Sequence, residues 1–335
     1  MTTTPGPTTV YHDEDADLGA LAGETIAIVG YGNQGRSQAL NLRDSGLRVI
    51  VGNIGDAARD RARDEGFEAF DVAVAVGRAD VVMLLIPDEV MPEVWERDVR
   101  PHLRAGACVS FASGYTITFG AIVPGAKLDV VMIAPRMIGP GVRDRFVDGK
   151  GFPSFVGVHQ DATGRAKARM LALARGIGST KAGCLELTFA QEAHLDLFTE
   201  QGFGPMMGLA LRQSIELLVE QGYPAEAVVM ELFASGELGY AFQRAADTGL
   251  FAQNAFHSHT SQYGSMTRSA RVADIDLKER LLQHLDDIRS GRFAAEWTAE
   301  QQNGLQLFNQ MKEMARFHPL FDWEQRTRKA FRMDD

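Results

Sequence analysis

The segment Thr25-Ile26-Ala27-Ile28-Val29-Gly30-Tyr31-Gly32-Asn33-Gln34-Gly35 constrains the fold more than any other part of the chain. A run of apolar and β-branched residues leads straight into glycines at 30, 32 and 35, and a helix-like segment follows over 36–45. Each glycine has a physical reason. Gly30 permits a tight turn, Gly32 lets main-chain N–H groups approach a pyrophosphate, and Gly35 lets helix and strand pack closely. Tyr31, Asn33 and Gln34 complete the candidate phosphate loop. A second strand-like run at 48–52 supplies the βαβ context that makes a weak glycine pattern specific.

The same alternation continues along the chain. Strands are predicted at 25–30, 48–52, 81–86, 107–111, 130–133 and 154–158, several of them continuously apolar, as strands buried on both faces are. After about Cys184 the rhythm stops, and 192–221, 224–248 and 274–288 read as helices with no strand between them. The expected architecture is an α/β Rossmann dinucleotide-binding domain over 1–185 followed by an all-α domain over 186–335. Residues 1–9 are rich in Thr and Pro and read as disordered, and the acidic stretch 11–21 is expected to add nothing to the core.

Composition narrows the partners. A formal charge of −10 and no basic block interleaved with aromatics argue against nucleic acid. No basic-then-apolar leader opens the chain and no run of about 18 apolar residues occurs, so neither export nor a membrane span is expected. Cys108 and Cys184 sit in or beside apolar segments without a Cys-x-x-Cys pattern and read as reduced core residues of a cytoplasmic protein.

The second strand leads into Gly52-Asn53-Ile54-Gly55-Asp56-Ala57-Ala58-Arg59, which should meet the adenosine ribose. A carboxylate there accepts from the ribose hydroxyls of NADH, whereas an arginine receives the 2′-phosphate of NADPH. Asp56 favours NADH and Arg59 pulls the other way.

Beyond the glycine loop, the chain carries Gln38-Ala39-Leu40-Asn41-Leu42, Ile86-Pro87-Asp88-Glu89, Ile122-Val123-Pro124, Val158-His159-Gln160-Asp161-Ala162-Thr163-Gly164, Asp196-Leu197-Phe198-Thr199-Glu200-Gln201 and Tyr263-Gly264. In this combination it resembles the short class of ketol-acid reductoisomerases (acetohydroxyacid isomeroreductases), nearly end to end. The resemblance implies reduction and isomerisation of 2-acetohydroxy acids in branched-chain amino-acid synthesis, with NAD(P)H and Mg²⁺. It also implies a knotted helical second domain and a homodimer or larger homo-oligomer whose active site is shared between subunits. Pro87 and Asp88 would line the cofactor. Asp196 and Glu200, four residues apart on a predicted helix, match the family's first metal-binding pair, and Glu231 a third carboxylate supplied by the other subunit. Ser258 matches the serine that contacts the substrate carboxylate.

Three positions depart from the family. The fourth carboxylate, expected four residues after Glu231, is Ser235, and the next glutamate is Glu237. On an unbroken helix a step of six residues points away from Glu231, whereas a local bulge can bring Glu237 back, and the residues leave both open. Ser113 stands where the family has a histidine, and Arg136 where it has a lysine. Three functions therefore compete: the parent reaction, a diverged reductase of a related keto acid or imine that lacks isomerisation, and a non-catalytic dinucleotide-binding regulator. Among the remaining polar and sulfur residues, His257 and His259 read as loop residues without zinc, His194 as a surface residue, and Met206, Met207, Met311 and Met314 as core or interface filler.

Overall fold

The computed structural model describes residues 8–333. The chain divides into two compact units, one ending at Asp196 and the other beginning at Leu197. The first contains strands β1 (Val10–Tyr11), β2 (Thr25–Val29), β3 (Arg48–Gly52), β4 (Glu68–Phe70), β5 (Val81–Leu84), β6 (Cys108–Phe111), β7 (Asp129–Pro135), β8 (Ser154–Gln160) and β9 (Cys184–Glu186). Its helices are α1 (Asn33–Asp44), α2 (Ala57–Asp64), α3 (Val72–Arg78), α4 (Met91–Val94), α5 (Tyr115–Thr118), α6 (Gly139–Val147) and α7 (Ala166–Ile177), and α8 (Phe189–Phe198) contains the division.

The strands form one sheet in the order β1-β9-β8-β7-β6-β5-β2-β3-β4. From β4 to β7 all neighbours are parallel. Taken alone, these six strands have the 3-2-1-4-5-6 order of a dinucleotide-binding fold, with the direction of winding reversing between β2 and β5. The sheet is buried on both sides, which explains the unbroken apolar runs. Ile26 and Ile28 of β2 enter one core with Leu42, Met170 and Leu173, while Ala27 and Val29 enter the other with Ala75, Val76 and Trp95.

Three short strands escaped the sequence pattern. β4 follows a helix without a long apolar run, and β1 and β9 are too short to show alternation. The expectation of an idle N-terminus needs correction. Tyr11 and Leu21 are buried core residues, Thr9 O accepts from Glu186 N at 2.9 Å, and β1 pairs antiparallel with β9. Their backbone edges supply what the acidic composition hides. Residues 1–7 lie outside the described part. Cys108 and Cys184 are free and buried, as expected, and burial pushes their thiols up to about 12 and about 11.

Beneath the sheet lies a buried ionic cluster. Arg169 of α7 donates to Asp129 at 2.9 Å and to Glu24 at 2.7 Å, while Asp129 also accepts from Ala162 N and from the Thr163 hydroxyl. It ties α7 to the starts of β2 and β7.

The second unit is helical: α9 (Gly204–Glu220), α10 (Ala225–Val229), α11 (Glu237–Thr248), α12 (His259–Ser269), α13 (Lys278–Arg289), α14 (Arg292–Gln302), α15 (Gln306–Arg316) and α16 (Pro319–Ala330). Its core is small, built on Ile215, Val228 and Val229 against Leu320 and Trp323. Met207, Met311 and Met314 are exposed and so are not core filler within one copy.

Replacing Arg169 by Leu strands two carboxylates in the interior and should cost about 3–5 kcal/mol in urea unfolding. A loss below about 1 kcal/mol would show that the cluster contributes little to the fold.

Candidate active site

The glycine loop lies where the order reverses, at the C-terminal ends of the parallel strands. Gly30 has φ +94°, and a Cβ there would lie 2.7 Å from Leu85 O. At Gly35 a Cβ would stand 1.8 Å from Gly30 O, so α1 crosses β2 at a distance open only to glycine. The space over Gly32 is clear to 4 Å. A side chain would fill this cradle, and no side chain caps the first turn of α1, whose N–H groups lack intrahelical acceptors.

Other residues of the loop hold it in shape. Tyr31 is buried, its N–H donates to Asn53 Oδ1 at 3.0 Å and its hydroxyl to Glu65 at 2.6 Å. Burial first, then the Glu65 carboxylate, push the Tyr31 hydroxyl well above its usual range. Gln34 donates to Met137 O at 2.9 Å, and a Cβ on Gly139 would meet Asn33 O at 2.4 Å, so α6 is seated on the loop.

After β3, Asn53 bridges the two loops, donating to Asp56 Oδ1 at 2.8 Å while accepting from Tyr31 N at 3.0 Å. Asp56 N-caps α2, taking the N–H groups of Ala58 and Arg59 at 3.0 and 3.1 Å. Arg59 is ion-paired with Asp71, just after β4. Across the reversal point, Pro87 O accepts from Val90 and Met91 N–H, turning the chain after β5. Asp88 stands beside Tyr115, whose hydroxyl is pushed upward by burial and then by that charge.

Two further candidates close the same edge of the sheet. Ser113, after β6, accepts from Tyr115 N at 3.1 Å. Arg136, after β7, donates to Glu192 Oε1 and Asp196 Oδ1, each at 2.8 Å, and stacks 4.8 Å over the Phe155 ring. Glu192 is fully buried, and its second oxygen accepts from Gly114 N at 2.6 Å. A Cβ on Gly114 would lie 2.1 Å from Phe189 O, so α8 approaches the β6 turn as closely as a glycine permits. Burial pushes the Glu192 carboxyl upward, opposed by the Gly114 N–H and Arg136 and reinforced by Asp196. Sequence reasoning missed Glu192. The signal was available, because Glu192, Asp196 and Glu200 form one i, i+4, i+8 series.

In the helical unit Glu200 and Glu231 are exposed, each inside a π-turn: Thr199–Phe203 and Met230–Ala234. After the second turn Ser235 ends the helix, Gly236 takes φ +81° and Glu237 begins α11. The unbroken helix on which a six-residue step would misdirect Glu237 is therefore not present. Ser258 N-caps α12, accepting from Ser261 N at 3.3 Å, and His257 meets Gln253 at 3.2 Å. His194 stacks near Phe119, with ring centroids 6.4 Å apart. Among the described residues no three His, Cys, Asp or Glu side chains form a metal-holding group.

A reversal-point glycine loop joined to a sheet edge of polar side chains, followed by a helical unit, defines a dinucleotide-dependent oxidoreductase. The particular family follows from comparison. Residues 20–183 match the acetohydroxy acid isomeroreductase NADPH-binding domain and 189–333 the ketol-acid reductoisomerase C-terminal domain. The chain is 43% identical over 316 residues to the ketol-acid reductoisomerase (NADP(+)) of Pyrobaculum neutrophilum, covering 93% of this chain and 95% of that protein. With the corresponding enzyme of Caldivirga maquilingensis the identity is 41% over 313 residues, covering 93% and 94%. The solved structure of an NADH-preferring ketol-acid reductoisomerase from an uncultured archean superposes with a TM-score of 0.89 at 34% identity, over 96% of this chain and 98% of that one. The chain belongs to the ketol-acid reductoisomerase family.

The raised Glu192 pKa gives a test of the cluster. The folded state binds this proton more tightly than the unfolded chain, so its contribution is full below the ordinary value of 4.5 and is lost as pH rises through the raised one. Without divalent ions, the unfolding free energy of wild type minus that of Glu192→Gln should fall across this window. A difference independent of pH would contradict the assignment.

Proposed function

We propose that the chain rearranges and reduces a 2-acetohydroxy acid with NAD(P)H, a small-molecule reaction of the cytoplasm. The carrying observation is that the glycine loop after β2, Asp88 after β5, Ser113 after β6 and Arg136 after β7 all stand on one sheet edge. Identity above 40% across nine-tenths of the chain favours the parent reaction over a diverged reductase or a non-catalytic regulator.

In this reading the main-chain N–H groups at Gly32, Asn33 and Gln34 receive the pyrophosphate, and Asn53 and Asp56 face the adenosine ribose. Pro87 and Asp88 border the nicotinamide end. The carboxylates of Asp196 and Glu200, with Glu231 from a second copy, are hard oxygen donors of the kind Mg²⁺ takes. Bound Mg²⁺ supplies Lewis-acid stabilisation for the charge that develops on adjacent oxygens during the alkyl shift.

The chain's own residues do the rest. Arg136 holds Glu192 and Asp196 in register through its two amino groups and keeps a permanent positive charge beside them, but it has no proton to give at neutral pH. Glu192, buried and with both oxygens accepting, from Gly114 N and Arg136, anchors Arg136 beside Asp196. Ser113 replaces the family's histidine with a hydroxyl, and Ser258 and Ser235 offer hydroxyls to a substrate carboxylate. In the absence of a carboxylate at position 235, Glu237 is the acid that the π-turn and Gly236 make available.

A homodimer or larger homo-oligomer is proposed from two observations. One copy assembles no metal-holding group among its described residues, and the helical unit exposes Phe251 at 91%, Phe317 at 84% and Tyr263 at 67%. No helix of the described residues is long and apolar enough to cross a membrane.

Oxidation of NADH or NADPH with 2-acetolactate should require Mg²⁺ and stop on chelation, and Asp196→Asn should lower turnover about a hundredfold. Turnover undiminished by chelation and by this substitution would overturn the reading. Sedimentation at micromolar concentration should show a dimer or larger species, and a fully active monomer would contradict the shared site.

A further inference from the structure

The reading of the β3–α2 loop as the ribose site leaves Asp56 and Arg59 pulling nucleotide choice in opposite directions, and their surroundings decide between them. We propose that Asp71 sets nucleotide selectivity by holding Arg59 in an ion pair that the 2′-phosphate of NADPH must displace. Asp71 is a positioning residue that acts through Arg59.

The geometry brings the pair to the right place. Asn53 N donates to Phe70 O at 3.0 Å, so the ribose loop and the end of β4 are bonded to each other. Arg59 leaves the first turn of α2, above that loop, and Asp71 directly follows β4. The covered partner is the cation: the Arg59 side chain is 17% exposed, and that of Asp71 72%. Moreover, Arg59 Nε is buried with no hydrogen-bond partner, so the guanidinium retains an unused donor that a second acceptor can take.

Two neighbouring arginines have acceptors of their own. Arg36 grips Glu65 through Nε and Nη2 at 2.8 and 2.6 Å, and Arg63 donates to Asp60 at 3.3 Å and to Ala69 O at 3.4 Å. Both Arg59 and Arg63 have carboxylate partners that face solvent, but of the two cations Arg59 is the covered one, held beside the ribose loop by an exposed and therefore displaceable carboxylate. A 2′-phosphate brings close to two negative charges and competes with Asp71 directly, while Asp71 also repels it. NADH meets no such competition, and Asp56 already favours it.

Asp71 can be changed without disturbing the helix it precedes, because its side chain caps no N–H of α3. Fluorescence titration with NADH and NADPH, and calorimetry with ADP and its 2′-phosphorylated form, should be run on wild type, Asp71→Asn, Arg59→Ala and the double variant. Asp71→Asn should move the affinity ratio about fivefold to tenfold towards the phosphorylated nucleotides, with NADH affinity little changed. Adding Arg59→Ala should abolish this gain, and thermal melts should show Asp71→Asn as stable as wild type. A ratio that does not move in Asp71→Asn, or a gain that survives loss of Arg59, would overturn the proposal. Loss of NADH binding in wild type would instead overturn the ribose-site reading on which it rests.

Discussion

The contact between Gly30 O and the α-carbon of Gly35 governs the rest of the molecule. With no room there for a Cβ, α1 starts almost on top of the end of β2, and its dipole and free N–H groups open at the sheet's C-terminal edge. The turns after β5, β6 and β7, which carry Asp88, Ser113 and Arg136, come to that same edge because the strands run parallel in fixed register. Tyr31, Gln34 and Asn53 spend their side chains on keeping this loop in place, which leaves main-chain groups to meet a phosphate.

A second close approach, at Gly114, organises the other side of the site. It lets α8 lie against the β6 turn, and that turn's N–H reaches the buried Glu192. Burying a carboxylate is costly unless it is paired and hydrogen-bonded, and Arg136 with Gly114 supplies both conditions. Where relatives of this family are expected to place a lysine, an arginine is well matched geometrically. Its planar fork spans Glu192 and Asp196 together, which a single ammonium does less rigidly. The positive charge is retained, while a guanidinium has no proton to give at neutral pH.

Much of this was legible from the residues alone. The glycine run, the continuously apolar strands and the change to helices after about Cys184 follow from periodicity and turn chemistry, and those features appear where expected. What was hidden depends on long-range partners. Tyr11 and Leu21 look like part of an acidic leader until β9 and α7 cover them. Glu192 looks like one more helix charge until Arg136 arrives from β7, 56 residues away. The π-turns around Glu200 and Glu231 leave no mark in a hydrophobic pattern, so the direction of Glu237 was unreadable. Likewise Arg59 and Asp71 are twelve residues apart, on separate βα turns, and only the sheet brings them together.

The central claim is that one sheet edge supports both a skeletal rearrangement and a hydride transfer. Following the atoms tests it most directly: 2-acetolactate, Mg²⁺ and nicotinamide cofactor deuterated at the transferred position, with the product read by NMR. The account predicts a rearranged 2,3-dihydroxy acid with two methyl groups on C3 and one deuterium on C2, beside the carboxylate, for each nucleotide oxidised. Deuterium on C3 of an unrearranged skeleton would mean that the carbonyl is reduced where it stands, and would contradict the claim.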